Sequence, residues 1–184
     1  WDRDVVRYLD SDRIPIFNPI EDFLFGLDVR WDGHDRIREL AARVPCNNRH
    51  WADLFYRWFL NMVAHWRQTD RKYANCTVPL LVGPQAYRKS TFCRSLLPPE
   101  LQAYYTDRID FSNKRDAKIS LNRFALINMD EFDQNRVNQQ AFLKHIFQKP
   151  IVNVRRPHGT ATQEMRRYAS FIGTSNHKDL LTDT

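Results

Sequence analysis

Cysteine is scarce in this chain, at 3 of 184 residues, and the number is odd. Cys46, Cys76 and Cys93 lie far apart and form no Cys-x-x-Cys pair. That spacing argues against a disulfide framework or a zinc knuckle and places the protein in a reducing, cytoplasmic setting. The six histidines show neither His-x-x-x-His nor His-Glu-x-x-His spacing, so no metal centre built wholly from protein ligands is expected. No apolar run approaches the roughly 20 residues that span a bilayer, and no secretory signal opens the chain, so no membrane partner is expected. Internal repeats and low-complexity tracts are missing as well. The chain opens on Trp1 and closes on DLLTDT directly after a strand-like segment. It is expected to be a piece of a longer protein, cut at both ends.

What is present is a composition suited to a core. Hydrophobic residues make up 42% and aromatics 13%, which excludes a disordered chain. The formal net charge is +6, which favours a polyanionic partner. In DRIRELAARV, Ile37, Leu40, Ala41 and Val44 share one helical face, with Asp32 or Asp35 as the cap. From Trp51 to Trp66 the residues Trp51, Leu54, Phe55, Trp58, Phe59, Met62, Val63 and Trp66 recur at helical spacing. A continuous, one-sided aromatic stripe reads as core packing against a neighbouring helix rather than as a base-stacking platform.

From residue 77 onward short strands and helices alternate. TVPLLV, Tyr104–Thr106, RFALINM, IVNV and YASFIGTS read as strands, the second of them as an edge. KSTFCRSLL, 113–120 and NQQAFLKHIFQ read as helices. The alternation predicts an α/β fold with an open, mainly parallel sheet over 73–184, preceded by a helical subdomain over 1–72.

Three strand ends carry polar residues in the order that a nucleotide hydrolase needs. Residues 78–91 read VPLLVGPQAYRKST, a strand running into a loop of nearly phosphate-binding pattern. In such a loop backbone N–H groups converge on phosphate, Lys89 reaches the outer phosphates, and Ser90, followed by Thr91, offers a hydroxyl to magnesium. RFALINMDEFD ends a second strand in Asp130 and Glu131, the first suited to the magnesium shell and the second to polarising an attacking water. SFIGTSN ends a third strand in Thr174, Ser175 and Asn176, with Asn176 the candidate for orienting that water. Each signal alone is weak, because acidic and amide residues also cap helices and make turns; the ordered trio is what points to a nucleotide site.

DVRWDG with DRIRELA, then VPLLVGPQAYRKSTF, LINMDEFD, VRRPHG and SFIGTSN, resembles the virulence-associated E family over nearly the whole chain. Those are P-loop proteins of phages and mobile elements, related to superfamily-three helicases and primase-helicases. The resemblance implies an AAA+-like P-loop core with a helical N-terminal portion, with ATP and magnesium as cofactors. It also implies ATP-dependent work on DNA during replication and assembly into a homo-oligomeric ring. Family members read Gly-x-Gln-Gly-x-Gly-Lys-Ser in the loop. This chain keeps Gly83, Gln85, Lys89 and Ser90 and has Ala86 and Arg88 in place of the two inner glycines. Those glycines serve backbone angles closed to other residues, at a cost of about 1–2 kcal/mol for a residue with a β-carbon. Arg88 adds positive charge where polyphosphate would lie.

A basic stretch, KPIVNVRRPHGTATQEMRR, separates the second and third strand ends. Lys149, Arg155, Arg156, His158, Arg166 and Arg167 are the candidate nucleic-acid contacts, since a hairpin here faces the DNA channel in related helicases. A role beside ATP, or a merely solvated basic hairpin, are the alternatives. An arginine supplied in trans, expected beyond residue 184, would complete such a site. Two other functions remain open on the sequence: a DNA-binding or assembly module that kept the fold and lost turnover, and a small-molecule or polynucleotide kinase.

Overall fold

The structure is a computed structural model that describes residues 1–9, 11, 13, 17–27, 30–69, 72–130, 137–155 and 162–177. Helices α1 (Asp2–Leu9), α2 (Pro19–Phe25), α3 (Arg36–Ala42) and α4 (Trp51–Trp66) come first. Strand β1 (Leu80–Val82) leads to α5 (Lys89–Ser95), then a 3-10 turn and β2 (Tyr105–Thr106). Helix α6 (Lys114–Arg123), β3 (Leu126–Met129), α7 (Val137–Phe147), the pair β4 (Ile151–Val154) and β5 (Gln163–Arg166), and β6 (Ser170–Ser175) complete the order.

Local chemistry sets the helix starts. Asn18 accepts a hydrogen bond from the Glu21 amide at the head of α2, with Pro19 in the first turn. Asp35, one of the two expected caps, accepts from the Arg38 amide at 3.0 Å. Asp32 instead pairs with the Arg36 guanidinium, which holds its carboxyl well below the usual carboxylate range. Asn113 caps α6 through the Asp116 amide.

Strands β1, β6, β3 and β2 form one sheet in that order, and every pairing is parallel. β3 and β6 lie in the middle and are buried along their whole length. Alternation splits the core into two layers. Leu126 and Ile172 face Phe55, Trp58, Met62 and Trp66 of α4 together with Cys93 of α5. Ile127, Met129 and Phe171 face α6, α7 and the β4–β5 pair. Gly173 in β6 lets its neighbour close in, because a β-carbon there would sit 2.8 Å from Leu80 Cδ1.

The stripe of α4 is core, as its spacing predicts, except at Leu54, which is 49% exposed. It packs on α3 and also lies directly on the sheet, where the Trp58 and Trp66 indoles donate to the Phe171 and Ala125 carbonyls, both at 3.1 Å. The helical segment before residue 72 therefore shares one apolar core with the sheet. IVNV departs from the expected alternation: it pairs antiparallel with Gln163–Arg166, apart from the parallel sheet. With only 8 residues between the two strands the chain can reverse but cannot make the crossover that a parallel neighbour needs.

Candidate functional site

Parallel pairing puts the ends of β1, β3 and β6 at the same edge of the sheet, with β6 between the other two. The residues that follow those strands are thereby brought together, the usual position for ligands in open α/β sheets. Four of the expected residues, Lys89, Ser90, Asp130 and Asn176, meet there with one further neighbour, Thr174. The Lys89 ammonium donates to the Gly83 carbonyl at 2.7 Å, to the Pro84 carbonyl at 2.8 Å and to Asn176 Oδ1 at 3.0 Å. Ser90 Oγ donates to Asp130 Oδ1 at 2.9 Å, and the Thr174 hydroxyl donates to the same oxygen.

Thr174 is the residue that sequence reasoning named at a strand end but gave no role. It is 2% exposed, and its hydroxyl orients Asp130 from the central strand. The available signal was its position, two residues before Asn176 in a strand whose neighbours are apolar.

The loop takes the backbone form that its lost glycines would have served. Ala86 has φ 68° and Arg88 has φ 56°, both in the left-handed region. Gly83, by contrast, does not have positive φ, and a β-carbon built on it would meet nothing within 4 Å. Its missing side chain leaves open space at the mouth of the loop. Gln85, Arg88 and Thr91 are exposed, and Lys89 and Ser90 are half-buried. Behind the loop, burial and then the nearby Asp130 charge push the Cys93 thiol up to about 12, so it stays protonated and unreactive.

Among the described residues no cluster of three or more His, Cys, Asp or Glu side chains could hold a metal. The Ser90 hydroxyl and the Asp130 carboxylate do fit magnesium delivered with a nucleotide. That ion keeps several waters and takes its remaining oxygens from phosphate, so one carboxylate and one hydroxyl suffice.

Glu131, Arg156 and His158 lie outside the described residues. Of the basic candidates, Lys149, Arg155 and Arg166 are exposed around the β4–β5 pair. Arg167 is a correction. It is fully buried, and its guanidinium donates to the carbonyls of Ile146 at 3.0 Å, Phe147 at 2.8 Å, Ala169 at 2.7 Å and Asn75 at 3.0 Å. It bonds the carbonyls at the end of α7 and fastens them to the segment that enters β6, and its burial keeps it from DNA phosphate. Burial lowers its pKa to about 9, which still leaves a cation at neutral pH.

The fold and site define an α/β protein with a lysine, two hydroxyls, a carboxylate and an amide gathered at the C-terminal edge of a parallel sheet. The virulence-associated protein E-like domain matches residues 26–184, and the chain belongs to that family. No curated protein matches it significantly. Two solved structures are similar. The apo structure of the NrS-1 C terminal region (305–718) is 15% identical with a TM-score of 0.46, covering 75% of this chain and 33% of that one. The A form apo structure of the same region is 18% identical with a TM-score of 0.41, covering 66% and 28%. The chain thus spans a third or less of the length of either. Among the described residues no helix is long and apolar enough to cross a membrane.

Proposed function

We propose that this chain is the ATP-binding, P-loop part of an AAA+-like helicase or primase-helicase that acts on DNA in replication. The observation that carries the reading is the meeting of residues from three separate strand ends in two adjoining hydrogen-bonded pairs, Lys89 with Asn176 and Ser90 with Asp130. Lys89 lies where an ammonium can exchange the Gly83 and Pro84 carbonyls for the outer phosphates of ATP. Ser90 and Asp130 hold magnesium, which neutralises phosphate charge when bound. Asn176, already on the ammonium, is placed to orient a water at the terminal phosphate, and Glu131 is assigned its activation. Gln85, Arg88 and Thr91 line the loop and add donors and positive charge. Lys149, Arg155, Arg156, His158 and Arg166 supply the phosphate contacts to single-stranded or forked DNA. Ring assembly of the longer protein brings the arginine that completes the site.

One observation favours a second reading, a binding or assembly module without turnover. The Lys89 ammonium is already engaged by three internal oxygens, so nucleotide must displace them. Titration separates the two. The leading reading expects magnesium-dependent ATP binding, hydrolysis by the longer protein that single-stranded DNA stimulates, and loss of both in Lys89→Ala. Unchanged binding and hydrolysis in that variant would remove the assignment. DNA binding with a steep salt dependence but no magnesium-dependent ATP binding supports the second reading.

A further inference from the structure

Beside the loop lies a cleft of about 670 Å³. Gly83 and Lys89 line it, so it is continuous with the proposed phosphate site. The connector between α3 and α4, with Arg43, Pro45, Cys46 and Asn47, also lines it, as do Tyr87 and Phe92. The volume is within the range of about 300–1,000 Å³ typical of sites for small organic ligands, and the lining mixes apolar side chains with Asn47 and the cations Arg43, Arg88 and Lys89.

The wall is preformed. Trp51 also lines the cleft, and its indole N–H donates to the Ala41 carbonyl at 2.9 Å, which fixes the ring across the α3–α4 junction. Arg38 ties the two helices by donating to Asp53 at 3.0 Å while it also pairs with Asp35. Tyr87, also in the lining, is 70% exposed and sits between the two left-handed residues of the loop, with its ring uncovered. An uncovered ring beside an open cleft is a stacking surface for a planar group. Asn47 supplies an amide with both donors and an acceptor for a base edge.

We propose that this cleft takes the nucleobase and ribose of a nucleoside triphosphate, with the base against Tyr87 and the α3–α4 connector as its opposite wall. The inference rests on the phosphate-loop reading above and adds where the nucleoside sits and which residues hold it. It gives the segment before the sheet a role in nucleotide binding that the strand-end residues do not have.

The test compares magnesium-ATP with magnesium-tripolyphosphate, which carries the phosphates without a nucleoside. Calorimetry on the 184-residue chain should give ATP at least about tenfold tighter binding. Tyr87→Ala should lose about fivefold or more of ATP affinity and leave tripolyphosphate unchanged, whereas Tyr87→Phe retains ATP affinity. In the unaltered chain ATP should slow alkylation of Cys46 by N-ethylmaleimide, while tripolyphosphate should not. Cys76, exposed and outside the cleft, serves as the internal reference, and Cys93 is buried. Equal affinity for the two ligands with no protection of Cys46 overturns the cleft and leaves the phosphate site standing. A Tyr87→Ala variant that weakens both ligands equally overturns the stacking role. Failure of both ligands to bind removes the cleft together with the reading on which it rests.

Discussion

Ala86→Gly is expected to stabilise the protein, although glycine usually weakens a fold. Ala86 is exposed and has φ 68°, so the substitution removes no buried surface and relieves a left-handed β-carbon. That conformation costs a residue with a β-carbon roughly 1–2 kcal/mol. Glycine returns about 0.5–1 kcal/mol of this through the greater freedom of the unfolded chain. The expected net gain is about 0.5–1 kcal/mol, or roughly 1–4 °C in Tm for a chain of this size. Arg88→Gly, at φ 56°, should add a similar amount, while removing a cation from the loop and so weakening polyphosphate binding. The assay is urea unfolding, read as a raised midpoint with an unchanged slope. Ala64→Gly is the control, because it makes the same chemical change inside α4, where it should cost about 1 kcal/mol. The sign difference between positions 86 and 64 is the content of the prediction. If Ala86→Gly destabilises as Ala64→Gly does, the loop does not hold residue 86 in the left-handed region.

Gly83→Ala should change stability by no more than about 0.5 kcal/mol, since its β-carbon meets nothing, yet weaken magnesium-ATP binding by filling the space where phosphate approaches; calorimetry alongside urea unfolding checks both halves. Thr174→Val should cost about 1.5–3 kcal/mol by removing a hydrogen bond to a carboxylate, and should reduce magnesium-dependent nucleotide affinity, with Thr174→Ser restoring both; full affinity in the valine variant would exclude Thr174 as the residue that positions Asp130. Arg167→Met should lose about 3–5 kcal/mol in urea unfolding, because it takes the guanidinium donors from the Phe147, Ala169 and Asn75 carbonyls and from the Ile146 carbonyl, which keeps the Lys149 amide. Arg166→Ala should be nearly neutral in stability and lower the salt slope of DNA binding by about 1, and a larger effect on stability than on DNA would reverse the roles given to the two arginines.

Much of the site was legible because its signals are local. A run of apolar residues ending in a polar one marks a strand end whatever the rest of the chain does, and three such ends named Lys89, Ser90, Asp130 and Asn176. The α4 stripe was equally plain, since a period near 3.6 records which face is buried. The partner of that face was not legible. Periodicity says that Trp58 and Trp66 turn inward, but not that their indoles find carbonyls on β6 and at the start of β3.

Arg167 shows where local reading fails. In sequence it stands beside Arg166, inside a basic stretch that invites a DNA assignment. In the fold, alternation along β5 has ended, and the chain turns Arg167 inward to the end of α7, about 20 residues earlier, where carbonyls lack donors. Neighbouring residues of the same type therefore have opposite exposures. The β4–β5 pairing is of the same kind, because register depends on which two segments meet.

The sequence by itself determined the types of most elements, though not the helices α1 and α2 or the strand β5, together with the chemistry available at each strand end and the two positions where glycine is replaced. These follow from nearest-neighbour sterics and from the periods of helix and strand. The tertiary structure decided that β6 lies between β1 and β3, so that the three ends meet, and that Thr174 reaches Asp130. It also decided that Ala86 and Arg88 are left-handed, and that the α3–α4 connector and the loop line one cleft. Those outcomes depend on contacts between residues tens of positions apart, whose geometry only the packed core supplies.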